Sequence, residues 1–353
     1  MAPARRWRVG AVALSATLLS TAAALAGGTP AEAATSGKAS VSRSLVTFTA
    51  ASGKANRVVI TRSGKTVTID DKYPIKAGKG CKAVRGDRTK VRCTSKYTPF
   101  LSVTLGSKGD RLSNKTNLQL FAYGNSGDDV LYSGGGQDVL RGGSGNDRIL
   151  AGGGNDDVRG DTGNDQLFGE AGRDLLQGDL GDDVLAGGAG DDVLRGELEG
   201  TDVSPSRFGA DTFWGGTGRD SVSYITHHGV TVDLDGGRGD DGSPGEHDTV
   251  GSDVEIVWGS PENDTLIGNG AANLLDGADG DDTIRGGAGD DTLDGGAGLD
   301  SLFGEAGDDS LNGFDPSLPV DQRVDQLDGG SNVTAAGDLC RGTEIDVRTD
   351  CER

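Results

Sequence analysis

Sixteen copies of a nine-residue unit, G-G-x-G-x-D-x-(apolar)-x, constrain this chain more than any other feature. Eight run unbroken over 124–195, two over 206–223 and six over 259–312. One unit reads Gly187-Gly188-Ala189-Gly190-Asp191-Asp192-Val193-Leu194-Arg195. The sixth position is Asp in fifteen copies: Asp129, Asp138, Asp147, Asp156, Asp165, Asp174, Asp183, Asp192, Asp211, Asp220, Asp264, Asp282, Asp291, Asp300 and Asp309. Asn273 fills it in the sixteenth. The eighth position is apolar in all sixteen, from Leu131 to Leu311. A flexible Gly-rich linker has no reason to keep an apolar residue in phase, so the period describes a solenoid.

Glycines at the first, second and fourth positions suit a tight turn with positive φ angles. Such a turn gathers backbone carbonyls, and the Asp that follows adds a carboxylate. An oxygen-only donor set of this kind favours a hard cation with six to eight ligands, calcium over magnesium. Zinc prefers His or Cys, and no unit contains either. After the Asp comes a three-residue strand whose middle side chain, the eighth position, points inward. One half-turn cannot bury that side chain alone, but stacked half-turns form two short parallel sheets around a thin aliphatic core. The expected fold class is all-β: a parallel β-roll preceded by a small β-rich N-terminal region.

Residue by residue, the sixteen units closely resemble the RTX (repeats-in-toxin, hemolysin-type) calcium-binding nonapeptides. The resemblance implies a calcium-stabilised roll in which each ion lies between one turn and the next on the same side, two units later. The sixth-position aspartates and the carbonyls of the Gly-rich turns are then its ligands. Counting pairs of units two apart implies about ten ions. Departures weaken particular sites: Glu262 and Ala271 replace the fourth Gly, and Ser133, Ala151 and Ser206 replace the first.

The chain opens with Arg5, Arg6 and Arg8, an apolar run from Val9 to about Ala26, and then Ala31-Glu32-Ala33. This layout predicts a secretory signal peptide over 1–33, exported by the general or the twin-arginine route, and a released mature chain. A membrane anchor fits less well, because the run is short and rich in small residues. Two close cysteine pairs, Cys81 with Cys93 and Cys340 with Cys351, suit local disulfides in an oxidising exterior. The N-terminal signal and cysteine-bearing tail resemble secreted calcium-binding proteins of actinobacteria more than RTX proteins exported by a C-terminal signal. The predicted location is extracellular.

Charge divides sharply. Residues 34–121 carry 18 Lys/Arg against 4 Asp, a net of +14, whereas residues 122–353 carry 13 Arg against 50 Asp/Glu, a net of −37. An acidic roll repels itself, and bound cations are the obvious compensation. With the ordinary aspartate pKa near ~3.9, protons are expected to displace calcium only as pH falls toward ~4. The basic region is a solvated face, a surface for anionic cell-wall polymer, or a dock for the roll. Few aromatics and no reader motif argue against nucleic acid.

Thr/Val-rich alternation in 46–49, 57–61, 66–69 and 101–105 reads as strands. Asp110 and Leu112 repeat the Asp-x-apolar phase, so 34–123 reads as a basic β-rich region that caps or runs into the roll, with a separate sandwich as the alternative. Block 1 spans 124–195, and 196–258 is an insert that includes two units and an acidic loop. Block 2 spans 259–312, and 313–353 is a disulfide-bearing C-terminal cap. Residues 230–234 and 254–258 read as strands of the insert. Its loop, Asp235 to Asp248, fails the EF-hand pattern because Gly237 and Pro244 stand where ligands belong. His227, His228 and His247 fall in this insert near Glu246 and Asp248; they read as surface histidines, with a zinc site as the alternative.

An enzyme is not expected. The chain lacks H-E-x-x-H and G-x-S-x-G, its histidines are confined to the insert, and its carboxylates are spread evenly along the repeat. The functions left are a calcium-binding structural protein, a cell-surface adhesin using the basic face, or, as the weakest alternative, a cryptic hydrolase.

Overall fold

The computed structural model describes residues 36–197, 209–313, 326–331, 338–341 and 347–351. The expected leader and most of the smaller bulge at 196–205 lie outside these residues. The fold is all-β. Among the described residues the strands form sheets of 15, 11 and 6 strands, and within the repeats these pairings are parallel. Alternate units go to opposite sheets, so each strand pairs with the unit two along, 18 residues away: Leu140 opposite Val158, and Ile149 opposite Leu167. The expected β-roll is therefore present.

The core is one residue per unit. Leu131, Leu140, Ile149, Val158, Leu167, Leu176, Leu185 and Leu194 are all fully buried, as are Leu266, Leu275, Ile284, Leu293, Leu302 and Leu311 in block 2. Many strands are longer than the three residues expected. Val139–Ser144 and Gln166–Ala171 run six residues, because the first three positions of the following turn continue the ladder before the chain bends.

The parallel stack also continues N-terminal of the units. Phe100–Ser107 and Leu45–Thr49 extend the longest sheet, and Arg111–Asn114 and Arg57–Ser63 extend the facing one. Antiparallel pairing begins at Gly37–Ser42 on one side and at Thr66–Asp70, Asp87–Thr94 and Cys81–Val84 on the other, which closes that end. Both expected disulfides form, Cys81–Cys93 across that antiparallel pair and Cys340–Cys351 at the far end.

The insert does not break the roll. The longest sheet passes straight through it, from Val193–Arg195 to Ser221–Ser223 to Ile256–Trp258. Only the facing side changes hands: Thr249–Val250 ends the 11-stranded sheet and Thr231–Asp233 begins the 6-stranded one. Asp241 joins the two, its Oδ1 accepting from Asp233 N–H and its Oδ2 from Val250 N–H, each at 2.7 Å.

Candidate metal centre: two buried carboxylate ladders

All fifteen sixth-position aspartates are buried, and the structure aligns them in rows along the two edges of the roll. In each row one carboxylate oxygen accepts the backbone N–H of the residue two units earlier. Along one edge Asp110 N–H donates to Asp129, Asp129 to Asp147, Asp147 to Asp165, Asp165 to Asp183, and Asp183 to Asp211, at 2.6–2.8 Å. Along the other, Leu120 donates to Asp138, Asp138 to Asp156, Asp156 to Asp174, Asp174 to Asp192, and Asp192 to Asp220, at 2.7–2.8 Å. Block 2 repeats the pattern from Asp264 to Asp282 to Asp300, and from Asn273 to Asp291 to Asp309. Each Asp thus ties neighbouring turns together before any ion is considered.

The second oxygen of these carboxylates is the informative atom. Oδ2 of Asp129, Asp147, Asp156, Asp165, Asp174, Asp183, Asp192, Asp211, Asp220, Asp282, Asp291 and Asp309 is buried without a hydrogen-bond partner. Leaving a buried acceptor unsatisfied costs about 1–3 kcal/mol, and more when it is charged. Two rows depart locally: Ser133 Oγ donates to Asp138 Oδ2, and Ser260 donates to Asp264 from both N–H and Oγ, at 2.6 and 2.7 Å.

Each glycine of the turn has its own cause. In the unit beginning at Gly142, a Cβ on that residue would run into the Asp147 carboxylate, so the first position is Gly for lack of room. Gly143 and Gly145 have φ of +117° and +122°, so the second and fourth are Gly for backbone freedom. Positive φ at the first position is thus a corrected expectation. The second position is the more tolerant: Asn125, Asp161, Glu170, Asp179, Ala278 and Glu305 all adopt positive φ there.

Burial raises these acids. Asp129, Asp183 and Asp282 are pushed up to about 8, and Asp156, Asp165, Asp220 and Asp291 to about 7, chiefly by desolvation, with neighbouring carboxylates adding to it in each case. The site concentrates orphaned carboxylate oxygens beside the carbonyls of narrow turns, as at Asp129 Oδ2 and the Gly142 carbonyl around Gly124. That donor set fits calcium.

A profile of the RTX calcium-binding nonapeptide repeat (4 copies) matches residues 123–158, 159–194, 207–223, 249–284, 258–293 and 285–313. These units are RTX calcium-binding repeats. No curated protein matches the chain. The RTX ladder is longer than the sixteen units suggest. Asp211 N–H donates to Asp248, Asp220 N–H to Glu255, and Asp309 N–H to Asp338, so these three acids take sixth-position roles. Their spacings of 37, 35 and 29 residues hide them from a nine-residue search. The local Asp/Glu-x-apolar phase could have found them: Asp248-Thr249-Val250, Glu255-Ile256-Val257 and Asp338-Leu339-Cys340.

One expectation fails here. His227 is not a surface histidine: it is 4% exposed and hydrogen-bonded to Glu197, thirty residues earlier. His228 and His247 are exposed, against Glu262 and the Gly239 carbonyl. The acidic loop and the strand before it do hold a carboxylate cluster, Asp233, Asp235 and Asp240, but the latter two are exposed to solvent.

Proposed function

We propose that this is a secreted calcium-binding structural protein whose roll folds when calcium fills the carboxylate ladders. The observation that carries this reading is the set of buried Oδ2 atoms without a hydrogen-bond partner, those of Asp129, Asp147, Asp165 and Asp183 among them. The fifteen sixth-position aspartates are the proposed ligands, with carbonyls of the Gly-rich turns, for about ten ions. Bound calcium supplies the positive charge that the ladders lack and favours their ionised form. The chain's own residues do the rest: Oδ1 of each Asp fixes the carboxylate to the earlier turn, and the first glycine leaves room beside Oδ2. Secretion is supported by the leader-like residues 1–33 and by the two disulfides. Calcium titration followed by circular dichroism tests the proposal: β-structure should appear as calcium reaches the ~0.1–1 mM range of extracellular modules. A spectrum unchanged between chelator and millimolar calcium would sink it, and equal folding by magnesium would replace coordination with charge screening.

A second reading adds a partner, anionic cell-wall polymer. Lys82, Arg85 and Arg92 line one shallow cleft with Thr66 and Thr94 on the basic end of the molecule. Co-sedimentation with purified polymer should be strong at low salt and lost in the Lys82/Arg85/Arg92→Ala variant. Equal sedimentation of that variant would remove the cleft from the reading.

A further inference from the structure

The join between the two repeat blocks buries an imidazole among carboxylates. His227 Nε2 lies 2.6 Å from Glu197 Oε2 and 4.0 Å from Glu246 Oε1, and none of the three side chains is more than 3% exposed. Glu197 lies two residues beyond Arg195, the end of block 1, and His227 and Glu246 come from separate turns further along the insert. Ser243 N–H donates to Glu246 Oε2 at 2.6 Å, which holds that carboxylate with its other oxygen toward the imidazole. The Tyr224 ring packs edge-on against His227 with centroids 5.0 Å apart, and its hydroxyl donates to Asp248.

An ion pair between His227 and Glu197 accounts for only part of this arrangement. Glu246 Oε1 and Glu197 Oε1 are both buried with no hydrogen-bond partner. Asp183, Asp211 and Asp248 lie nearby, each raised first by burial and further by the Glu197 charge. The single imidazole leaves both of these Glu oxygens without a hydrogen-bond partner. The three donor atoms all lie within 4.8 Å of one another. Four-coordinate zinc holds N and O ligands at ~2.0–2.1 Å, which sets them ~3.3 Å apart, so small side-chain shifts suffice. The imidazole separates this place from the ladders. Calcium takes oxygen alone, whereas a His with two carboxylates suits a borderline ion of the zinc class.

We propose that Glu197, His227 and Glu246 form a zinc-class site distinct from the calcium ladders, taking one ion per chain. It sits where Thr249–Val250 ends one sheet and Thr231–Asp233 begins the next, so the ion pins the insert to the end of block 1. Three protein ligands leave a fourth position for water.

The test uses the full mature chain, stripped with chelator, refolded in millimolar calcium and then titrated with zinc or cobalt. One zinc per chain should bind and stay bound against calcium, and cobalt should give the visible bands of a four-coordinate N/O site. His227→Gln and Glu246→Gln should each weaken zinc by on the order of tenfold or more and remove the cobalt bands. Both should keep the calcium-induced dichroism change. Failure of the calcium-loaded wild-type chain to take up zinc would overturn the proposal without recourse to any variant. So would zinc that calcium displaces, or zinc bound undiminished by a folded His227→Gln protein.

Discussion

The basic end and the repeats are both β-sheet, yet they handle buried groups in opposite ways. Strands Arg57–Ser63, Thr66–Asp70 and Asp87–Thr94 pair antiparallel and bury Val58, Ile60, Val67, Ile69 and Val91 by simple alternation. Asp70 and Asp87 stay at the surface, each 3.0 Å from Lys90. The roll buries one aliphatic side chain per unit, and beside it one carboxylate whose second oxygen has no partner through most of the stack. An apolar core stabilises most of the first arrangement, because Asp70 and Asp87 stay hydrated. Asp71 is the exception, buried with Oδ1 accepting from Arg57 and Lys72 N–H and Oδ2 left unpartnered. The second arrangement leaves carboxylates desolvated, so they must be neutralised by a proton or offset by a cation. Calcium dependence should therefore follow the ladders and spare the basic end.

The sharpest way to break this contrast is to place a methyl group in each region. Gly142→Ala puts a Cβ against the Asp147 carboxylate and should raise the calcium midpoint of block 1 by on the order of tenfold or more. Gly64→Ala, at φ +58° with open space around it, should cost about 1 kcal/mol and leave the calcium midpoint alone. Calcium titrations of the two variants check this; equal midpoints would dissolve the contrast. Core truncation comes next. Leu167→Ala should cost roughly 2–4 kcal/mol in calcium, and Ile69→Ala a similar amount with or without calcium. Denaturant melts in calcium and in chelator measure both.

Protons should also tell the regions apart. Acids such as Asp129, raised to about 8, and Asp165, raised to about 7, stabilise the calcium-free roll fully below ~4, and that stability is lost as pH rises through the raised values. Acid should thus favour the calcium-free roll, and calcium should bind more tightly as pH climbs from 6 to 8, releasing protons. Sequence alone points to competition near pH ~4, because it gives no measure of burial. Asp87 behaves oppositely: hydrogen bonds from Thr89 and Lys90 hold its pKa low, so it favours folding until strong acid. Calcium titrations at several pH values check this prediction. The smallest effect expected is positional. Asp165→Ala, between Asp147 and Asp183, should shift the calcium midpoint severalfold more than Asp309→Ala near the end of its row.

The periodic part of the molecule was legible because each unit repeats one physical problem. Eighth-position residues had to be core, and sixth-position acids had to share an environment. What stayed hidden depends on contacts between units. Nothing in the sequence around Asp147 says that its Oδ1 will accept Asp129 N–H, or that Gly142 is small to make room for Oδ2. Insertions concealed Asp248, Glu255 and Asp338, because a ladder is kept by stacking and not by count. His227 looked solvent-facing beside an acidic Gly-rich loop, since its partner Glu197 lies thirty residues away.

Hydrogen exchange along the whole chain, in calcium and in chelator at neutral pH, tests the central claim most directly. In calcium, the ladder amides of Asp129, Asp147, Asp165 and their counterparts should be protected as strongly as Ile60 and Val91 in the antiparallel end. In chelator, protection should collapse across 124–312 while 57–94 keeps most of its own. Protection of the ladder amides that is the same with and without calcium would contradict the claim that the ion holds the roll together.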